Sequence, residues 1–308
     1  MTTAATHVQK LLDAFRQRRP MRAGSLIVTL FGDTISQHGN RVWLGSVINA
    51  LEPFGLNQRL VRTAVYRLMQ DDWLCSTQVG RKSFYSFTET GLRHYQKAAR
   101  RIYAPEYSSQ DGDWLFVHQN NLPEKQRELL RKELHWLGFG NLFPGVMAKP
   151  GADRLSLDET LKELGLQQQV VVMRSQPDDQ ASAQQLKSRV YACWNLEQLE
   201  QQYRAMYDVF SPLLERLNSG DSLVPEAAFQ LRTLLIHDYR RLLLKDAELP
   251  ESLLPEHWVG RQVYSLVADI YRHIQQGSES YVMEALETTD GPLPTASSDY
   301  FARFGQLA

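Results

Sequence analysis

Arg59, Arg62, Thr63, Tyr66 and Arg67 lie between positions 59 and 67. On a helix advancing by about 100° per residue they share one face, and Val61, Ala64, Val65 and Leu68 share the other. A guanidinium offers a planar fork of donors that fits a phosphate or the O6/N7 edge of guanine. The hydroxyls of Thr63 and Tyr66 could bond phosphate oxygens. A helix presenting this set outward suits the major groove of DNA. The bland alternative is a solvated face whose arginines meet only water. Gln58, at the start of the same segment, joins the candidate set. So do Arg81 and Lys82, in a turn that could reach a flanking backbone or the minor groove, and Arg41 in an earlier loop.

These residues need elements to hold them. Ala23–Gln37 reads as a helix with Leu26, Ile27, Leu30 and Phe31 on one stripe. Leu44–Phe54 reads as a second, ended by Pro53-Phe54-Gly55, and Asn57 caps a third over Gln58–Asp71. Two alternating segments follow, Trp73–Val79 and Ser83–Thr88, around Gly80-Arg81-Lys82. Three helices and a hairpin form the order of a winged helix-turn-helix, expected over 23–103 after a basic arm or frayed helix at 1–22. A linker is expected at 104–112. Over 113–190 the order β-α-β-β-α-β is the ferredoxin-like arrangement. From 191 to 308 the chain reads as helical, with apolar stripes over Leu196–Leu217, Pro225–Leu244 and Trp258–Gln275. The expected fold class is thus α+β: an N-terminal winged helix-turn-helix, a central ferredoxin-like domain and a C-terminal all-helical domain for dimerisation or effector binding.

The formal net charge of −1 hides an asymmetry: +8 over residues 1–100, −1 over 101–195 and −8 over 196–308. A basic first third on an acidic last third suits a polyanion-binding module joined to a different kind of partner domain, though uneven surface charge would look the same. No apolar run is long enough to cross a bilayer, and Met1–Arg22 has no secretory apolar stretch. Cys75 and Cys193 are far apart and in no metal spacing, so a reduced cytoplasm is the simplest compartment.

The stretch Ser25-Leu26-Ile27-Val28-Thr29-Leu30-Phe31-Gly32-Asp33, with the helices and wing after it, resembles the start of the PaaX family, the phenylacetic acid degradation operon negative regulatory proteins. A second match runs from Leu235-Ile236-His237-Asp238-Tyr239-Arg240-Arg241 through Asp246, Leu249-Pro250 and Leu253-Leu254-Pro255 to Trp258-Val259-Gly260, where the family often has Trp-Pro-Gly. The resemblance spans nearly the whole chain in the family's domain order. It implies a repressor that binds double-stranded operator DNA as a homodimer and releases it when phenylacetyl-CoA binds as inducer. A CoA thioester needs cations for its phosphates and an apolar slot for its phenyl group. Arg240, Arg241 and Lys245 form the densest basic cluster of the acidic third, with Tyr239, Trp258 and Tyr264 nearby in sequence. The competing reading makes Trp258 and Leu242-Leu243-Leu244 core and pairs the arginines with Asp238, Asp246 or Glu248.

Catalytic signatures are absent: there is no HExxH, Walker loop, GxSxG or GxGxxG, and no cofactor or metal is expected. In the family the middle domain resembles a small metal-dependent nuclease of CRISPR adaptation, whose first strand ends on an acidic residue. Here that strand ends Phe116-Val117-His118-Gln119, with Asp111 and Asp113 before it, which argues against nuclease chemistry. The leading expectation is an effector-responsive repressor rather than an enzyme. Its rivals are an enzyme acting on an acyl-CoA or nucleic acid with the winged helix as a docking module, and a scaffold using that module for protein contacts.

Overall fold

The computed structural model of the chain describes residues 3–105, 113–119 and 122–307. The expected linker lies outside the described residues from position 106 on, as does Asp111. Two compact units emerge: Met1–Glu106 with Met206–Arg240 and Gln262–Ala308, and Tyr107–Ala205 with Arg241–Arg261. The expected helical part at 191–308 is therefore shared between the units. No helix among the described residues is long and apolar enough to cross a membrane.

The first unit opens with a helix, not an arm. Helix α1 (Thr3–Arg16) buries Ala4, Val8, Leu12 and Phe15, whose spacing of four, four and three keeps them on one stripe. Phe15 meets Phe54 edge-on at 6.1 Å, and Arg16 Nε donates to the Pro53 carbonyl at 2.8 Å. Helix α2 (Ala23–Asp33) follows and stops four residues short of the expected Gln37. The Asp33 carbonyl accepts from Arg232 and Arg303 at 3.0 and 2.9 Å, so it leaves the helical ladder, and 35–37 tighten into a 3-10 turn. Next come strand β1 (Val42–Trp43), helices α3 (Leu44–Leu51) and α4 (Gln58–Gln70), strands β2 (Leu74–Val79) and β3 (Lys82–Phe87) and helix α5 (Glu89–Ile102). The three strands form an antiparallel sheet in the order β1-β3-β2. Lys82 belongs to β3, so the hairpin turn is the pair Gly80-Arg81, with Gly80 at a φ of 59° that suits the first position of a two-residue turn.

In the second unit strand β4 (Trp114–His118), helix α6 (Glu124–Trp136), strands β5 (Gly140–Phe143) and β6 (Val146–Pro150), helix α7 (Arg154–Glu163) and strand β7 (Val171–Ser175) keep the expected β-α-β-β-α-β order. The sheet is antiparallel in the order β5-β6-β4-β7. Leu115, Val117 and Met147 from the sheet pack on Leu130, Leu134, Leu157 and Leu161 from α6 and α7. Helix α8 (Gln180–Cys193) has no counterpart in the sequence reading. It buries only Val190 among its described residues, so it carries almost no periodic apolar signal, and its start is marked by Asp179 accepting from Ser182 N at 2.7 Å.

Three long helices follow: α9 (Leu196–Asn218), α10 (Pro225–Leu243) and α11 (Gly260–Ala285), the last ending ten residues beyond the Gln275 that its apolar stripe indicates. Short strands β8 (Glu287–Thr288) and β9 (Gly291–Pro292) and helix α12 (Ser298–Phe301) complete the chain.

The first unit is organised around Asp33, which is 1% exposed. Its Oδ2 accepts from Arg232 Nε at 2.7 Å, and its Oδ1 accepts from Tyr103 Oη at 2.6 Å, Tyr271 Oη at 3.1 Å and Arg303 Nη1 at 3.0 Å. Arg232 also donates to Glu279 Oε1 at 2.6 Å. Two guanidiniums thus meet two carboxylates. Burial pushes the Asp33 pKa up, but the charges of Arg232 and Arg303 outweigh it and hold the group below its ordinary value. Breaking a buried pair by removing one partner costs about 3–5 kcal/mol because the other charge stays uncompensated. Asp33→Asn is therefore expected to destabilise the protein by about that amount in urea unfolding. A loss near zero would show that the cluster is not what joins these helices.

Glu279 supplies a pH test. Burial raises its pKa, but the approach of His38 Nε2 at 3.2 Å and the charge of Arg232 carry it down to about 2, against 4.5 in the unfolded chain. A depressed carboxylate stabilises fully above the unfolded value and loses that contribution as pH falls through the folded one. Between about pH 5 and pH 2 the wild type should lose stability more steeply than Glu279→Gln, read from melting temperature against pH; parallel curves would remove Glu279 as an acid-sensitive group.

Candidate nucleic-acid interface

Helix α4 is set by a corner and a cap. Gly55, at a φ of 81°, takes the left-handed turn that glycine accommodates at least cost. Phe54 and Leu56 on either side of it are 0% and 1% exposed. Asn57 Oδ1 then accepts from Leu60 N at 2.9 Å and satisfies one free donor of the first turn. The inner face falls as the periodicity predicts: Val61, Val65 and Leu68 are buried and Ala64 half-buried. They pack against α2 and α3, whose Leu26, Ile27, Leu30, Phe31, Leu44, Val47 and Leu51 are buried.

The outer face carries Gln58, Arg59, Arg62, Thr63, Tyr66 and Arg67, all exposed, with Tyr66 at 62%. Turned with its amide oxygen toward Arg62, Gln58 accepts from Nη2 and Nε at 3.1 and 3.2 Å, which orients that guanidinium along the helix. The Thr63 hydroxyl donates back to the Arg59 carbonyl at 2.9 Å, so its proton is committed within the helix. Arg81 is exposed at the hairpin tip, and Arg41 is exposed ahead of β1. Among the described residues Arg41, Arg59, Arg62, Arg67 and Arg81 make no ion pair.

Lys82 stands apart. Its Nζ donates to Glu287 Oε2 at 2.7 Å and lies 4.3 Å from the centre of the Trp43 ring, so its charge is already balanced within the fold. Arg18, from the basic N-terminal stretch, is bound bidentately to Asp238 at 2.5 and 2.7 Å.

The six effector candidates are divided between the two units. Tyr239, Arg240 and Tyr264 belong to the first unit, and Arg241, Lys245 and Trp258 to the second. Tyr239 is 1% exposed. Arg240 is buried, and its Nη2 donates to the Ser25 carbonyl and hydroxyl at 3.0 and 2.9 Å, tying α10 to the start of α2. Tyr264 Oη donates to the Ala104 carbonyl at 2.9 Å. Trp258 is buried against the edge of Tyr203 at 5.6 Å. Arg241 is half-buried, and Lys245, the exposed member of the six, donates to Gln202 Oε1 at 2.6 Å. The core reading of Trp258 and of Leu242 and Leu243 describes this arrangement; Asp238 accepts from Arg18, and Asp246 accepts from Tyr203 Oη at 2.8 Å.

Sequence reasoning missed Arg232 and Arg303, which set α2 in place. Both are arginines in an acidic region, and nothing in their spacing points back 199 and 270 residues along the chain to Asp33. In the second unit Gln119 follows β4 and is 0% exposed. Among the described residues no group of three or more His, Cys, Asp or Glu could hold a metal ion.

Three family descriptions match the chain: PaaX-like protein at residues 22–91, PaaX protein central Cas2-like domain at 107–187, and PaaX-like protein C-terminal domain at 194–284. The Transcriptional repressor PaaX of Escherichia coli (strain K12) is 38% identical over 308 residues, covering 100% of this chain and 96% of that protein. Among solved structures the Uncharacterized protein Rv0674 from Mycobacterium tuberculosis shares the fold, with a TM-score of 0.51 and 18% identity over 84% of this chain and 97% of that one. The chain belongs to the PaaX family, and with it to the transcriptional repressors rather than to the enzymes.

Proposed function

We propose that this protein represses a phenylacetate-catabolic operon by binding double-stranded operator DNA through a winged helix-turn-helix built from α2 to β3. Helix α4 enters the major groove. Arg59, Arg62 and Arg67 reach base edges or phosphates, Tyr66 and Gln58 add polar contacts, and Thr63 offers its hydroxyl oxygen. The Gly80-Arg81 tip acts as the wing on the flanking backbone, and Arg41 takes a further phosphate. Lys82 steadies the wing through Glu287 and Trp43 before it contacts anything outside. The observation that carries this reading is the set of unpaired guanidiniums on α4, backed by a fully packed inner face. A rigid helix presenting solvated cations is pre-organised for a polyanion and releases counterions on binding.

The protein acts as a homodimer in the cytoplasm. Two recognition helices then meet half-sites separated by about one helical turn or a multiple of it. Phenylacetyl-CoA is the inducer, as the resemblance to PaaX implies. It relieves repression by binding the DNA-free conformation better than the DNA-bound one; a coupling of about 1–3 kcal/mol changes operator affinity roughly 5–150-fold.

Anisotropy titrations with operator DNA test both parts. Arg62→Ala should weaken binding; a phosphate contact lowers the salt slope by about one, whereas a base contact costs about 1–3 kcal/mol of discrimination. Unchanged affinity and slope would take Arg62 out of the interface. Phenylacetyl-CoA should release wild-type protein from the operator. Full retention at saturating thioester would end the inducer model while leaving DNA recognition intact.

A further inference from the structure

The second unit holds a groove of about 790 Å³, within the range of roughly 300–1,000 Å³ typical of small-molecule sites. Helix α8 forms one side and residues 250–253 the other, with Trp114 and Pro150 from β4 and β6 between them. Tyr191, Pro250 and Leu253 extend this aromatic and aliphatic surface. The polar lining is mostly uncharged amide, from Gln176, Gln180 and Gln184. Lys187 is the ionised side chain among the described lining residues, and no carboxylate joins it. Its Nζ donates to the Ser252 carbonyl at 2.8 Å and so links the two sides of the groove.

This lining selects a chemistry. Tryptophan, tyrosine and proline rings accept a flat apolar group. Glutamine amides match a ligand arm that itself carries amides. A single ammonium without a neighbouring acid in the lining favours an anion and gives a cation nothing to pair with. We infer that this groove is the effector seat and takes an aromatic acyl thioester of CoA type: the aryl group on the ring-lined floor, the amide arm along α8, and an anionic group at Lys187. The inference rests on the inducer reading above and adds the place and the groups that read the ligand.

The groove wall also has a defined place in the chain. The wall at 250–253 lies within residues 241–261, a segment of the second unit bounded by α10 and α11. Those helices carry Arg232, Tyr271 and Glu279, which hold Asp33 at the end of α2. The 250–253 wall thus belongs to a segment that is covalently continuous at both ends with those helices.

The test uses full-length wild type, Ala183→Trp, which fills the groove from α8, and Lys187→Glu, which reverses its charge. Phenylacetyl-CoA is titrated into each by calorimetry, and into each operator complex by anisotropy, with operator affinity and melting temperature measured first without thioester. Both variants should bind operator as wild type does. At least one should need about tenfold more thioester, or more, since losing a hydrogen bond to a charged group costs about 1.5–3 kcal/mol. Wild-type thioester affinity in both variants overturns the groove assignment and leaves inducer release standing. A wild type that neither binds phenylacetyl-CoA nor leaves the operator overturns the inducer reading, and the groove assignment falls with it.

Discussion

A carboxylate buried at 1% exposure can remain ionised only if fixed positive charge surrounds it, and Asp33 meets that condition through two arginines from distant parts of the chain. Burial alone would neutralise it. Arg232 and Arg303 reverse that balance, and Tyr103 and Tyr271 fill the remaining lone-pair directions. The tyrosines respond in the opposite sense: burial and the nearby Asp33 charge keep Tyr103 well above its ordinary pKa, so it stays a proton donor. The cluster is saturated, which is the circumstance in which buried polar groups specify one arrangement rather than destabilise several. It joins the end of α2, the end of α5, and helices α10 and α11. Gly32 sets a steric limit beside it, since a Cβ there would lie 1.9 Å from the Tyr95 ring.

That constraint reaches α4 through α2. The helix contributes only three fully buried side chains of its own, yet they rest on α2, and α2 is anchored by ionic contacts as well as by apolar packing. The charge then separates by location. Inside the unit Arg232 and Arg303 pair with acids, while the arginines on the outer face of α4 and at Gly80-Arg81 make no ion pair among the described residues. Lys82 marks the boundary, a cation at the base of the wing neutralised by Glu287.

The second unit carries a ferredoxin-like sheet of strand order β5-β6-β4-β7. The residue after β4 is a buried glutamine, a neutral side chain at the position where the related nuclease carries an acid. The groove instead forms at the opposite end of β4, where Trp114 is 5% exposed and α8 and residues 250–253 close around it. The family-like segment Leu249–Pro255 thus contributes a wall to a ligand-sized cavity.

Local rules were enough for much of this. Alternating and helical periodicities determined the three helices, the hairpin and the β-α-β-β-α-β order, because each element buries one face and its apolar residues recur with that face. The same rule identified the outer face of α4 before any coordinates. It failed where burial is not periodic. Helix α8 buries one residue and so carries no periodic signal, and α1 reads equally as an arm or a frayed helix because its four buried residues are diluted by polar neighbours. Arg240 and Tyr239 looked like ligand-binding groups because residue type alone does not reveal whether a side chain already has a partner. What the sequence by itself determined was which faces must be apolar and which helix could meet nucleic acid. Only the tertiary structure decided which charges are spent inside the fold and which remain free, because a charge is neutralised by what lies within a few ångströms, and the two arginines that neutralise Asp33 are 199 and 270 residues away along the chain.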